Sequence, residues 1–180
     1  MTMTINADAL KVVAQLNKKL GANTVVTANL IRKMKRLSTG SLTLDVVLGG
    51  GWPTNQWVEI VGEASHGKTA IALKTIATNQ VLDPNFTAVW IAAEPFDKGY
   101  AEMCGVDTER VLLVETNSME DAFDACIQFM ESKGVDLVVV DSLPALVPSA
   151  EDEKDMEEFT VGRGALITNK FFRKIGRAHV

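Results

Sequence analysis

Residues 62–69 read Gly-Glu-Ala-Ser-His-Gly-Lys-Thr, the pattern G-x-x-x-x-G-K-[ST], directly after the apolar run 57–61. Each residue type in it answers a need of a bound triphosphate. Gly62 and Gly67 permit backbone angles that other residues resist, so the loop can wrap an anion. The N–H groups of Gly62, Glu63, Ala64, Ser65, His66 and Gly67 then form a concave nest for phosphate oxygens. Lys68 brings a cation to the β- and γ-phosphates, and the Thr69 hydroxyl suits Mg²⁺. The run 70–77 is helix-competent, and a helix N-terminus would face the same anion. His66 is read as one more main-chain donor rather than a catalytic imidazole.

Two carboxylates complete this chemistry. Asp141 follows the apolar run 137–140, and an acid at the tip of a buried strand needs a cation or a hydrogen-bond donor. Mg²⁺ shared with Thr69 meets that need; a helix cap is the alternative. Ser142 is a candidate for orienting the γ-phosphate or a water. Glu94 ends the apolar run 88–93 and is the candidate for orienting the water that attacks a γ-phosphate, with Lys68 assisting. Asp97 and Tyr100 follow closely, and the ring of Tyr100 offers a face for adenine. His66, His179, Cys104 and Cys126 are too scattered for a zinc site.

The elements that must position these groups alternate. Helical spacing predicts a helix over 6–20 stopped by Gly21, and 24–27 reads as a short strand. A short helix is expected over 41–48, broken by Gly49-Gly50-Gly51-Trp52-Pro53. Strands are expected at 57–61, 88–93, 111–114 and 137–140, with helices at about 68–80, 98–104 and 119–133 between them. Ser118 and Gly134 bracket the last of these. Strands separated by single helices imply a parallel sheet covered by helices, with ligands at the carboxyl ends of its strands. The run 137–140, apolar throughout, is expected to be covered on both faces.

At 180 residues and 47% hydrophobic content, the chain fits one domain with a real core. A net charge of −5 argues against a wholly basic nucleic-acid binder, though not against a local basic groove. The two cysteines form no C-x-x-C pair, which suits a reducing compartment. No apolar run approaches the roughly 18–20 residues of a membrane span, and the N-terminus lacks a signal-peptide layout. A soluble cytoplasmic protein that meets no membrane is the expectation. The acidic run 151–158 reads as a solvated loop. Beyond it Arg163, Lys170, Arg173 and Lys174 alternate with Phe171 and Phe172. This is either a helix touching DNA phosphates or an amphipathic helix with its phenylalanines in the core. Residues 175–180 can be written in codons as a sequencing-adapter read-through, so they are expected to be non-native.

In order along the chain, these blocks resemble the RecA family of recombinases, in a phage or divergent bacterial form. The resemblance spans about residues 6–174 and rests on Leu37-Ser38-Thr39-Gly40-Ser41-Leu42-Thr43-Leu44-Asp45, on Leu48-Gly49-Gly50-Gly51-Trp52-Pro53, and on the loop 62–69. It continues through Ala92-Ala93-Glu94, through Asp97-Lys98-Gly99-Tyr100-Ala101, and through Val138-Val139-Val140-Asp141-Ser142-Leu143-Pro144-Ala145-Leu146-Val147-Pro148. It implies an α/β core of the RecA-like P-loop type over 37–174, incomplete at its C-terminus. It implies that residues 1–36 form a helix and strand that dock on a neighbouring subunit. It implies an ATP- and Mg²⁺-dependent enzyme that polymerises as a homo-oligomeric filament on single-stranded DNA and exchanges strands with duplex DNA. Residues 149–163 would be a DNA-binding loop, with Val161, Gly162 and Arg163 near the DNA and Asn169 and Arg173 on the helix behind.

There are departures. The segment between Glu94 and Asp97 is one residue short of the family pattern. Leu166 stands where the family has a DNA-contacting arginine, which leaves Arg163 to compensate. A second DNA loop, a γ-phosphate-sensing strand and a C-terminal domain do not follow, so the chain is expected to be a fragment with weak or no hydrolysis of its own. Alternatives are a RadA-like or DnaB-like ATPase, a small-molecule kinase using the same loop, and a non-catalytic interaction module. The missing cysteine module disfavours the RadA type, and the missing arginine lid disfavours the kinase.

Overall fold

The structure, a computed structural model, describes residues 5–31, 33–149 and 162–178. It divides into two units, Met1–Lys35 and Arg36–Val180.

In the first unit, helix α1 (Ala7–Leu20) is capped by Asn6, whose side chain accepts from the Asp8 N–H. No residue of α1 is buried. The strand expected at 24–27 does not form. The Asn17 side chain instead takes both backbone groups of Val25, at 2.7 and 2.9 Å, and a 3₁₀ turn follows at Ala28–Leu30. A side-chain amide has satisfied the groups a ladder would have used.

The second unit opens with β1 (Arg36–Leu37), α2 (Leu42–Val47) and β2 (Trp52–Pro53), with β1 and β2 antiparallel. Asp45 ties the turn between β1 and α2, accepting from Ser38 Oγ at 2.6 Å and the Thr39 N–H at 2.7 Å. Gly51 is required where β2 begins. Its φ is +102°, and a Cβ there would lie 2.1 Å from the Leu37 carbonyl oxygen. The Ser38 and Thr39 hydrogen bonds hold the Asp45 carboxyl below its ordinary value of 3.8. A depressed folded-state pKa contributes stability above the unfolded value, and that stability fades as pH falls through the folded one. Asp45→Asn is therefore expected to lower the melting temperature by a few degrees at pH 7. The gap to wild type should narrow below about pH 4, as thermal melts across pH would show.

Next come α3 (Lys68–Leu82), β3 (Ala88–Ala92), α4 (Lys98–Met103), β4 (Val111–Glu115), α5 (Met119–Ser132), β5 (Leu137–Asp141) and α6 (Arg163–Ala178). The sheet is three-stranded and parallel, in the order β4-β3-β5. Strand β3 is buried at every position and alternates between two cores. Ala88, Trp90 and Ala92 face a layer that includes Leu73 and Ile76 of α3, Ala101 of α4, and Phe86. Val89 and Ile91 face Met119, Ala122, Phe123 and Cys126 of α5, with Phe171 and Ile175 of α6. This is the expected α/β layering, with the period-2 alternation of a strand covered twice.

Two expectations fail here. The strand over 57–61 joins no ladder. An apolar extended segment is a strand only where a neighbour takes its hydrogen bonds; Trp57 packs edge-on against Phe171 and Phe172 instead. Strand β5 is half-buried along its length rather than fully covered, because it pairs with β3 alone and lies at an edge. Burial pushes the Cys126 thiol up to about 12, which makes it a packing group and not a nucleophile. Among the described residues, no helix is long and apolar enough to cross a membrane.

Candidate functional site

The loop 62–67 is exposed and leads straight into α3. Gly67 takes φ +84° as the N-cap of α3, and no side chain caps the helix. The first N–H groups of α3 therefore have no side-chain acceptor, the arrangement an anion fills. Lys68 Nζ is folded back on the loop, donating to the carbonyls of Gly62 at 2.8 Å and Glu63 at 2.7 Å. An ammonium resting on neutral carbonyls exchanges them readily for phosphate oxygens, which form stronger charge-assisted bonds. The exposed ring of His66 bonds through Nδ1 to the Ala64 carbonyl at 2.8 Å, so its side chain braces the loop.

The register of the sheet brings the acids to this loop. Ala92 of β3 is the partner of Asp141 on β5. The ladder continues one step further, with the Ala93 N–H donating to the Asp141 carbonyl at 2.9 Å. Thr69 Oγ1 donates to Asp141 Oδ2 at 2.9 Å, across 72 residues of sequence. Ser142 Oγ donates to Glu94 Oε1 at 2.8 Å. Thr69, Asp141, Ser142 and Glu94 thus stand in one neighbourhood at the carboxyl end of the sheet. Asp141 is the last residue of β5 rather than the residue after it, and it caps no helix.

Among the described residues, no cluster of three or more acids, histidines or cysteines offers a protein-built metal cage. One hydroxyl and one carboxylate in contact are hard oxygen donors. They suit Mg²⁺, which keeps waters and relies on substrate phosphates for the rest of its shell.

Asp97 and Tyr100 lie at the start of α4. The Asp97 carboxylate N-caps that helix by accepting from the Tyr100 N–H at 2.9 Å. Tyr100 is 41% exposed.

What holds α3, and with it Lys68 and Thr69, is a polar seam. Thr75 Oγ1 accepts from Trp52 Nε1 at 3.0 Å and donates to the Ile71 carbonyl at 2.9 Å, with the Thr39 carbonyl at 3.2 Å. Asn79 Nδ2 reaches the Ser38 carbonyl at 2.8 Å. Thr75 and Asn79 are 2% and 5% exposed, so the block 38–52 clamps the helix that opens the site. Sequence reading missed these residues because polar side chains at helical spacing look like a solvent face. The one available signal was the Ser-Thr-Gly-Ser turn, whose Ser38 and Thr39 carbonyls these side chains meet.

Of the residues assigned to DNA, Val161 lies outside the described residues, as does the acidic run 151–158. Gly162 adopts φ +92° and Arg163 opens α6. Asn169 and Arg173 are exposed and one helical turn apart, hence on one face. Leu166 and Lys170 are exposed as well. The buried face of the same helix carries Phe171 and Ile175. The amphipathic reading of this segment holds: Phe171 is in the core, while Lys170, Arg173 and Lys174 are exposed.

Residues 8–179 match the family model of the RecA N-terminal domain. The chain is 38% identical over 165 residues to Protein RecA of Synechocystis sp., covering 90% of this chain and 46% of that protein. It is 38% identical over 167 residues to Protein RecA of Prochlorococcus marinus strain AS9601, covering 91% and 45%. Against Protein RecA of Gloeothece citriformis the figures are 37% over 181 residues, covering 97% and 50%. The chain spans about half the length of the curated relatives it matches.

Proposed function

The chain belongs to the RecA family, and on that premise we propose that it binds ATP with Mg²⁺ in the loop 62–69. We propose further that it serves a cytoplasmic, DNA-dependent ATPase that forms filaments on single-stranded DNA and promotes homologous pairing and strand exchange. The observation that carries the reading is the contact of Thr69 with Asp141 beside Glu94, at the mouth of an uncapped helix.

In this reading the N–H groups of 62–67 and the Lys68 ammonium hold the phosphates, and Tyr100 stacks on the base. Thr69 and Asp141 would hold Mg²⁺, which supplies charge neutralisation between the β- and γ-phosphates. Glu94 orients a water and accepts its proton as the water oxygen bonds to the γ-phosphorus. The bond from that phosphorus to the β–γ bridging oxygen breaks, giving ADP and phosphate.

Residues 1–36 serve as the docking arm toward a neighbouring subunit, consistent with a helix that buries none of its own residues. Gly162, Arg163, Asn169 and Arg173 face DNA, and their cations meet its phosphates.

Titration of a fluorescent ATP analogue with and without Mg²⁺ tests the site. Wild type is expected to bind more tightly with the metal. Asp141→Asn is expected to lose most of that difference while keeping metal-free binding, because only the metal-facing charge has gone. Equal loss with and without Mg²⁺ would remove the metal role from Asp141.

A further inference from the structure

Ser142 is read from sequence as a group for the γ-phosphate or its water, yet its hydroxyl lies 2.8 Å from Glu94 Oε1. A serine hydroxyl has one proton to give, while an ionised carboxylate and a phosphate are both acceptors only. The proton donated to Glu94 is not available to a phosphate at the same time. We propose that Ser142 is a positioning residue: it pins the Glu94 carboxylate by one oxygen so that the other meets the attacking water, and it is not a nucleotide ligand. This rests on the reading of Glu94 given above.

The backbone makes the contact a consequence of the sheet and not of a chance rotamer. The Asp141 carbonyl accepts from the Ala93 N–H at 2.9 Å and lies 3.4 Å from the Glu94 N–H. The β3–β5 ladder is thus carried past Ala92, and the residues after it are set side by side. Glu94 itself is exposed, in the segment between β3 and α4. Its free carboxylate would sweep several rotamers, and a near-attack geometry tolerates little of that sweep. One hydrogen bond removes it. Among the described residues, Glu94 Oε2 accepts no hydrogen bond, so it remains open to water. Ser142 also follows Asp141, whose carboxylate accepts a hydrogen bond from the Thr69 hydroxyl. The loop that receives the phosphates and the carboxylate that aims the water are therefore joined through two successive residues.

The test uses the full 180-residue chain and has two readouts. The first needs no turnover: with ¹³C in the glutamate side-chain carboxyls, the Glu94 resonance, assigned by its absence in Glu94→Gln, should move in Ser142→Ala and return in Ser142→Thr. An unmoved resonance would overturn the contact, whatever the chain hydrolyses. The second is single-turnover ATP hydrolysis with DNA present. Ser142→Ala is expected to slow the step about 10- to 100-fold while the nucleotide Kd stays within about twofold, and Ser142→Thr should recover most of the rate. In the Glu94→Gln background, Ser142→Ala should add nothing. A persistent effect there, or weakened nucleotide binding in Ser142→Ala, would make Ser142 a nucleotide ligand and sink the proposal. If wild type does not bind ATP, it is the reading of the site that fails; where it binds without hydrolysing, as a fragment is expected to, the carboxyl resonance decides whether Ser142 holds Glu94.

Discussion

Lys68→Ala is expected to remove measurable nucleotide binding and to change the folding stability by less than about 0.5 kcal/mol. The two halves of that expectation have separate physical grounds. Bound phosphate would take the ammonium from the Gly62 and Glu63 carbonyls, where it rests at 2.8 and 2.7 Å. A charge-assisted hydrogen bond contributes about 1.5–3 kcal/mol, and the ammonium has several to give. Affinity falls about tenfold for every 1.4 kcal/mol, so losing two such bonds puts binding at least about 100-fold lower. Stability is spared because the carbonyls that Lys68 leaves lie in an exposed loop, where water replaces the ammonium without a desolvation cost. Titration of a fluorescent ATP analogue and a thermal melt on the same sample check both halves. Affinity within a few-fold of wild type in the folded variant would mean that the loop 62–69 is not the phosphate site.

The candidate site could be read because the residues proposed for it are largely contiguous. The loop 62–69 carries both glycines, the lysine and the threonine in a single stretch, and the acids stand directly at the ends of apolar runs. The expected strands at 88–93, 111–114 and 137–140 and the helices at 68–80 and 119–133 all form, within a residue or two at each end.

What was not legible depends on pairing between distant segments. The run 57–61 has the composition of a strand, but strands need a partner for their N–H and C=O groups, and composition does not say whether one is present. The run 24–27 lost its backbone to Asn17, a residue whose side chain mimics a ladder partner and carries no mark of doing so. Thr75 and Asn79 sit on α3 at positions that read as solvent-facing, and only the fold shows that Trp52 and the Ser38–Thr39 turn bury them. The Ser142–Glu94 contact spans 48 residues and follows from the β3–β5 register, which no local pattern encodes.

Phe171→Ala is expected to destabilise the second unit by about 3–5 kcal/mol, a large share of the roughly 5–15 kcal/mol that holds a domain folded. The ring is 2% exposed. It stacks on Phe123 of α5 at 4.0 Å between centroids and 7° between planes, and it meets Trp57 edge-on at 5.5 Å. Its loss opens a cavity under α6 and strips the aromatic contact between α6 and α5. The neighbour supplies the control. Phe172 is 38% exposed and meets Trp57 edge-on at 5.3 Å, so Phe172→Ala should cost about 1–2 kcal/mol. Urea unfolding followed by tryptophan fluorescence measures both. The same pair tests the proposed DNA contact, in which Asn169 and Arg173 ride on α6 and would reach DNA only where the helix is seated. Phe171→Ala should therefore weaken single-stranded DNA binding at salt concentrations where Phe172→Ala does not, although neither ring is charged. Equal destabilisation by the two substitutions would mean that α6 lies on the core without the face preference that separates Phe171 from Phe172.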